Sequence, residues 1–250
     1  ARFAVSAASS NLGLVLARVE RQEEAEPLFR DAIASYDGLA RDFPSMPVYR
    51  RELARNHLYL ARALEDVSGA EQEEITPLLE RAGMLLEAIV ASGNFDPIGT
   101  LACAEAARRL AGRRFLAGEF ARGVERLQRA RALVDGLRAK GIDENNADEH
   151  SKLERAFALA PPEALSFEQR LEHAERAFAA AEEFLQLRGE KGADRIVRDD
   201  LRLAFDALAK LAEEDAAIQP RVEAAARRLQ SLLPDDPEAQ RRASRFGAGG

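Results

Sequence analysis

The chain has no tryptophan, one cysteine, two methionines, three tyrosines and three histidines among its 250 residues. A single thiol, Cys103, excludes an intramolecular disulfide and a cysteine-rich metal centre. In "LACAEAA" it reads as a small core residue. No apolar run approaches the roughly 18–20 residues of a membrane-spanning helix. The stretch from Phe3 to Ala17 is uncharged. It contains Ser6, Ser9, Ser10, Asn11 and Gly13, has no basic segment before it beyond Arg2, and reads as a buried helix rather than a signal peptide. Basic excess is also missing. The formal net charge is −7, which argues against a general nucleic-acid binder.

Catalytic motifs are absent too. "LAGRRFLAGEF" scatters its glycines without a phosphate-binding spacing, and there is no G-x-S-x-G elbow and no H-E-x-x-H. His150 and Glu154 stand four apart, on one face of an expected helix, but two ligands do not make a metal site. His57 reads as part-buried or facing a groove, and Met84 and Leu85 as core. The sequence therefore leads to the expectation of no enzyme, no cofactor and no metal.

What is present is helix. Apolar and small residues recur at Leu12, Leu16 and Val19, then at Ala25, Phe29, Ala32 and Ile33, the three-and-four spacing of helices with one buried face. Sliding this unit by 98 residues lays Leu12 on Leu110, Gly13 on Ala111, Ala25 on Gly123, Phe29 on Leu127 and Ala32 on Ala130. "AEPLFRDA", "ITPLLERA" and "IQPRVEAA" place Pro27, Pro77 and Pro220 alike, as expected near the first turn of a helix. "FPSMP" (43–47) and "LPDDPEA" (233–239) read as exits from hairpins. Ten helices in five hairpins are expected: 3–19 with 23–42, 47–67 with 73–92, 98–117 with 120–139, 149–160 with 166–188, and 193–213 with 217–233. Hairpins one to three fill 1–140, a polar connector 141–149, divergent hairpins four and five 150–237, and a disordered tail 238–250. The chain starts without Met inside a helical pattern, as an excerpt of a longer polypeptide or a processed one would.

Leu12-Gly13, Ala25, Phe29 and Ala32 stand at the spacing that the tetratricopeptide repeat (TPR) family uses for large–small packing, and the chain resembles that family. It departs from it at Ser9 and Leu16, where the family has aromatics, and at Pro44, which comes two turns late. The repeats are thus long, some 45–50 residues. The resemblance implies an all-α, right-handed α-solenoid of about five antiparallel hairpins, a TPR-like superhelix. It also implies a scaffold that holds a peptide or partner helix in a concave groove lined by the first helix of each pair. Carried over by position, the groove residues are Asn11, Leu14 and Arg18, then Asn56, His57 and Leu60, then Arg108, Arg109 and Phe115. "EAEPLFRDAI…LARDFPSMPVYRRELA" also resembles the helical repeat tails of large bacterial serine/threonine kinases. That likeness implies a regulatory or sensory region of such an enzyme.

Charge is uneven. Residues 105–140 carry ten basic and four acidic side chains, and residues 143–183 eleven acidic and four basic. This asymmetry reads as solvated faces, as complementarity between neighbouring hairpins, or as a site for an acidic partner. The expected partner is another protein or peptide, an acidic one among the candidates, and neither nucleic acid nor an inserted membrane. A cytoplasmic location is expected, or an extracytoplasmic one for the tail of an anchored kinase. The oligomeric state stays open.

Overall fold

The computed structural model describes residues 2–66, 72–93, 96–142, 144–188 and 195–247. Among them are eleven α-helices: α1 Arg2–Arg18, α2 Gln22–Asp42, α3 Pro47–Asp66, α4 Gln72–Ala91, α5 Pro97–Leu116, α6 Phe120–Arg138, α7 Glu144–Ala158, α8 Phe167–Arg188, α9 Arg195–Glu214, α10 Gln219–Leu232 and α11 Pro237–Ser244. The fold is all-α, a solenoid of helical hairpins. Two compact units divide it, Ala1–Arg113 and Arg114–Gly250, so the division falls within α5 and not at the polar segment 141–149.

In the first unit α1 packs on α2, α2 on α3 and α3 on α4. The small residues Ala25 and Ala32 are fully buried where α2 meets its neighbours. Two helices approach closely at Gly13, where an added Cβ would lie 2.7 Å from Phe29 Cε1. Gly13 must face Phe29, so α1 turns its small side inward. Ser6 and Ser10 are buried with it. Leu12 and Val19, expected on the buried face, are turned outward in consequence, since each residue along a helix is about 100° from the next. Met84, also expected in the core, is exposed, while Leu85 packs against the Tyr36–Leu53 cluster. Pro27 and Pro77 lie inside their helices, at the sixth position from Gln22 and from Gln72. Each forfeits only the backbone bond to the first turn, so the helix continues past it.

In the second unit α6 packs on α7, α7 on α8 and α9, α8 on α9, and α9 and α11 on α10. Phe178, Leu201, Phe205, Leu208, Val222 and Leu229 form its main core. Two expectations change here. α7 begins at Glu144, inside the supposed connector, because Asn146 is buried and its Nδ2 donates to Val134 O at 3.0 Å. Residues 238–244 of the supposed disordered tail belong to α11. Asp236 caps that helix, its Oδ1 accepting from the Glu238 and Ala239 amides at 3.0 and 2.9 Å. Ala239 and Ala243 are buried, and Phe246 packs edge-on against Phe205 at 5.6 Å. Residues 248–250 lie outside the described residues.

Candidate functional site

Two places gather polar side chains, one in each unit. In the first unit the hairpin-opening helices α3 and α5 lie side by side. Arg109 binds Glu65 and also Glu105, whose Oε1 is 2.9 Å from its Nε. Arg62 Nε stands 3.9 Å from the same carboxylate. Burial pushes the Glu105 carboxyl up, but Arg109, Arg62 and Arg108 outweigh it and hold it well below the ordinary carboxylate range. Three guanidiniums thus act on Glu105, and Glu65 is a second acid on Arg109. Next to this row, on α3, Arg55 binds Tyr59 and Glu52.

The structure divides the groove residues expected from position. Asn11 and Arg18 are exposed on α1, and Leu14 is half-buried. His57 is half-buried on α3. Burial, then the positive charge of Arg81, pushes its imidazole down to about 4, with Asp37 opposing, so it is neutral at pH 7. Asn56 and Leu60 are corrections. Both are buried: Asn56 Nδ2 donates to Glu52 O at 2.8 Å, and Leu60 belongs to the core. The α3 helix rotates Leu53, Ala54, Leu58 and Ala61 inward as well, and positions 56 and 60 follow them. Arg108 is half-buried and Arg109 is bound into the ion pairs just described. Phe115 belongs to the second unit and covers Gly123, where an added Cβ would meet its ring at 2.2 Å. Arg62 was not singled out from sequence. Its signal was there: it precedes Arg108 by one repeat length.

In the second unit a cleft of about 380 Å³ is lined by Arg131, Asp135, His150, Glu154, Arg176 and Glu183, among others. Its floor is Glu154, which is buried. Arg131 binds Glu154, and His173 Nδ1 donates to Glu154 Oε2 at 2.7 Å. Arg138 Nη1 donates to His150 Nδ1 at 2.7 Å, which assigns the His150 proton to Nε2, 3.5 Å from Glu154 Oε1. His173 stacks on Phe157 with ring centroids 4.4 Å apart, and the Arg131 guanidinium lies 4.4 Å from the Phe157 centroid and 3.2 Å from His173 Nδ1. Burial raises the Glu154 carboxyl, but His150, His173 and Arg131 bring it down to about 2. An acid so strongly held as carboxylate is a poor proton donor at neutral pH. Its oxygens are committed to three donors, and among the described residues no three potential ligands converge as a metal site. The His150–Glu154 spacing seen in the sequence therefore builds an ion-pair network joining α6, α7 and α8.

No helix among the described residues is long and apolar enough to cross a membrane. No family model matches the sequence, and no curated protein matches it. A solved structure does: a thermophilic TPR protein of Thermus thermophilus is similar over 96% of this chain and 98% of its own, with a TM-score of 0.52 and 19% identity. The chain has the TPR-like helical-repeat fold.

Proposed function

We propose that this chain is a protein-interaction module without a catalytic step of its own, and that the helix-opening face of the first unit holds an acidic peptide or partner helix. The observation that supports this reading is the convergence of Arg62, Arg108 and Arg109 on Glu105. Guanidiniums recognise carboxylates through paired N–H donors. Arg62, exposed and only loosely held at 3.9 Å, can turn to a ligand at little cost. Arg108 extends the same face by one repeat, and Arg109 holds Glu105 and Glu65 in place beneath them.

The test is an array of fluorescein-labelled 12-residue peptides graded in Glu and Asp content, probed with the full chain and with Arg62→Glu/Arg108→Glu. Acidic peptides should bind the native chain and lose at least tenfold in affinity to the variant, with helicity unchanged by circular dichroism. Equal binding by both proteins would remove this face from consideration.

A further inference from the structure

We propose that His150 is a proton-operated latch: while neutral it ties α6, α7 and α8 together through Arg138, and on taking up a proton it releases that tie. The proposal does not rest on the peptide-binding reading, whose residues lie in the first unit.

Arg138 ends α6 and serves two other helices at once. Its Nη1 donates to His150 Nδ1 on α7 at 2.7 Å and to Glu183 Oε2 on α8 at 3.0 Å, and its Nη2 donates to Glu183 Oε1 at 3.0 Å. A guanidinium has donors only, so the bond to His150 exists only while Nδ1 keeps its lone pair. A proton taken up there would set two cationic N–H groups against each other at 2.7 Å. One of them must leave. His150 has a partner on its other side, since Glu154 Oε1 stands 3.5 Å from Nε2. A charged ring is drawn more strongly to that carboxylate. The Arg138 side chain is 32% exposed and can turn to water, so Arg138 is the group that moves. Because Nη1 serves both acceptors, its departure also breaks one arm of the fork to Glu183.

The surrounding groups single out His150 for this role. Glu154 is brought down to about 2 and stays a carboxylate wherever an imidazole ordinarily titrates. His173 holds it too, but His173 Nδ1 already carries a proton. It donates to Glu154 Oε2 at 2.7 Å, and the Arg131 guanidinium 3.2 Å away is bound to Oε1. That nitrogen is a donor in either protonation state, so charging His173 breaks no bond there. Of the two histidines only His150 offers an acceptor to an arginine. The remaining charged groups around the cleft are Asp135 from α6 and Arg176 from α8, which is bound to Glu172. On the α9 side, Asp200 is bound to Arg155. A switch of this kind needs a local change of charge and an element with two arrangements. His150 supplies the first and the Arg138 side chain the second.

Nuclear magnetic resonance of the full chain, titrated from about pH 8 to about pH 4 to bracket imidazole titration, tests it. The Arg138 side-chain N–H signals should move with the same midpoint as the His150 ring. Amide exchange in the last turn of α6, corrected for its intrinsic pH dependence, should quicken over the same interval. His150→Gln keeps a carbonyl acceptor for Arg138 and has no proton to gain. In this variant both steps should vanish, with helicity unchanged by circular dichroism. An Arg138 signal that stays in place while the His150 ring titrates would overturn the proposal. So would a His150 ring that stays neutral throughout, a step that follows His173 instead, or a step that survives in His150→Gln.

Discussion

Gly123→Ala tests the close helix approach on which the repeat packing depends. The new Cβ would lie 2.2, 2.4 and 2.9 Å from Cε1, Cδ1 and Cζ of Phe115. Real side chains do not approach this closely, so the ring must move or the helices part. Overpacking of this kind costs about 1–3 kcal/mol. Ala in place of Gly inside a helix returns about 1 kcal/mol by propensity alone. The net expectation is a loss of about 0–2 kcal/mol, too close to zero to interpret by itself. A double-mutant cycle removes the ambiguity. In a Phe115→Leu background the ring is gone, and Gly123→Ala should then stabilise by about 1 kcal/mol. Urea denaturation followed by circular dichroism supplies the four midpoints. The coupling energy should be about 1–3 kcal/mol. An identical effect of Gly123→Ala in both backgrounds would show that Phe115 does not rest on Gly123, and the large–small account of this hairpin would fall.

Other outcomes follow from the charged groups. His57 is a base whose folded pKa, about 4, lies below its unfolded value near 6.5. The folded state therefore binds fewer protons in that window, and stability is lost as pH falls from about 6.5 to 4. The His57→Gln chain should lose less stability over that interval than the native chain, and a nuclear magnetic resonance titration should place the His57 ring near 4; an unshifted midpoint near 6.5 would contradict its burial. Ion pairs at one repeat spacing should differ by burial. Arg30 binds Glu74 on the surface, and Arg30→Gln should cost less than about 1 kcal/mol. Arg155 binds the buried Asp200, and Arg155→Met should cost about 3 kcal/mol in thermal or urea unfolding. Equal costs would mean that the Asp200 site is wet.

The hairpins were legible because their signals are local. Short polar turns, P-x-x-P exits and small residues at Ala25, Ala32, Gly123 and Ala130 need no knowledge of what lies across the fold. Faces were less legible, because a helix's rotation is set by its partner. On α1 the apolar spacing and the small residues pointed to different sides, and the need to fit Gly13 against Phe29 decided between them. The same dependence buried Asn56 and Leu60, which a carry-over by position had placed in a groove. α11 was missed for another reason. "DPEA" carries a capping Asp, a proline at the first helical position and an acid in the first turn, all signals of a helix start, but the same prolines also fit the exit from a hairpin.

The unequal charge blocks find part of their cause in the stacking. Arg131 and Arg138 of the basic block bind Glu154 and Glu183 of the acidic one, which is complementarity between neighbouring hairpins. Similar pairs recur along both units at almost one period. Arg30–Glu74, Arg109–Glu65 and Arg170–Glu214 are separated by 44 residues, Arg51–Asp96, Arg138–Glu183 and Arg155–Asp200 by 45, and Arg221–Glu175 and Arg228–Glu182 by 46. Several are forks: both Arg30 and Arg138 present two nitrogens to two carboxylate oxygens, at 2.7 Å and at 3.0 Å respectively. A lysine ammonium cannot reproduce that geometry, which gives the chain a structural use for arginine over lysine. Each exposed pair adds little stability, but a fork is satisfied at one offset between hairpins and broken at its neighbours. The apolar faces alone tolerate sliding by a helical turn. The forks at the rim penalise it, so the register between successive hairpins is specified twice, once by small–large packing inside and once by charge outside.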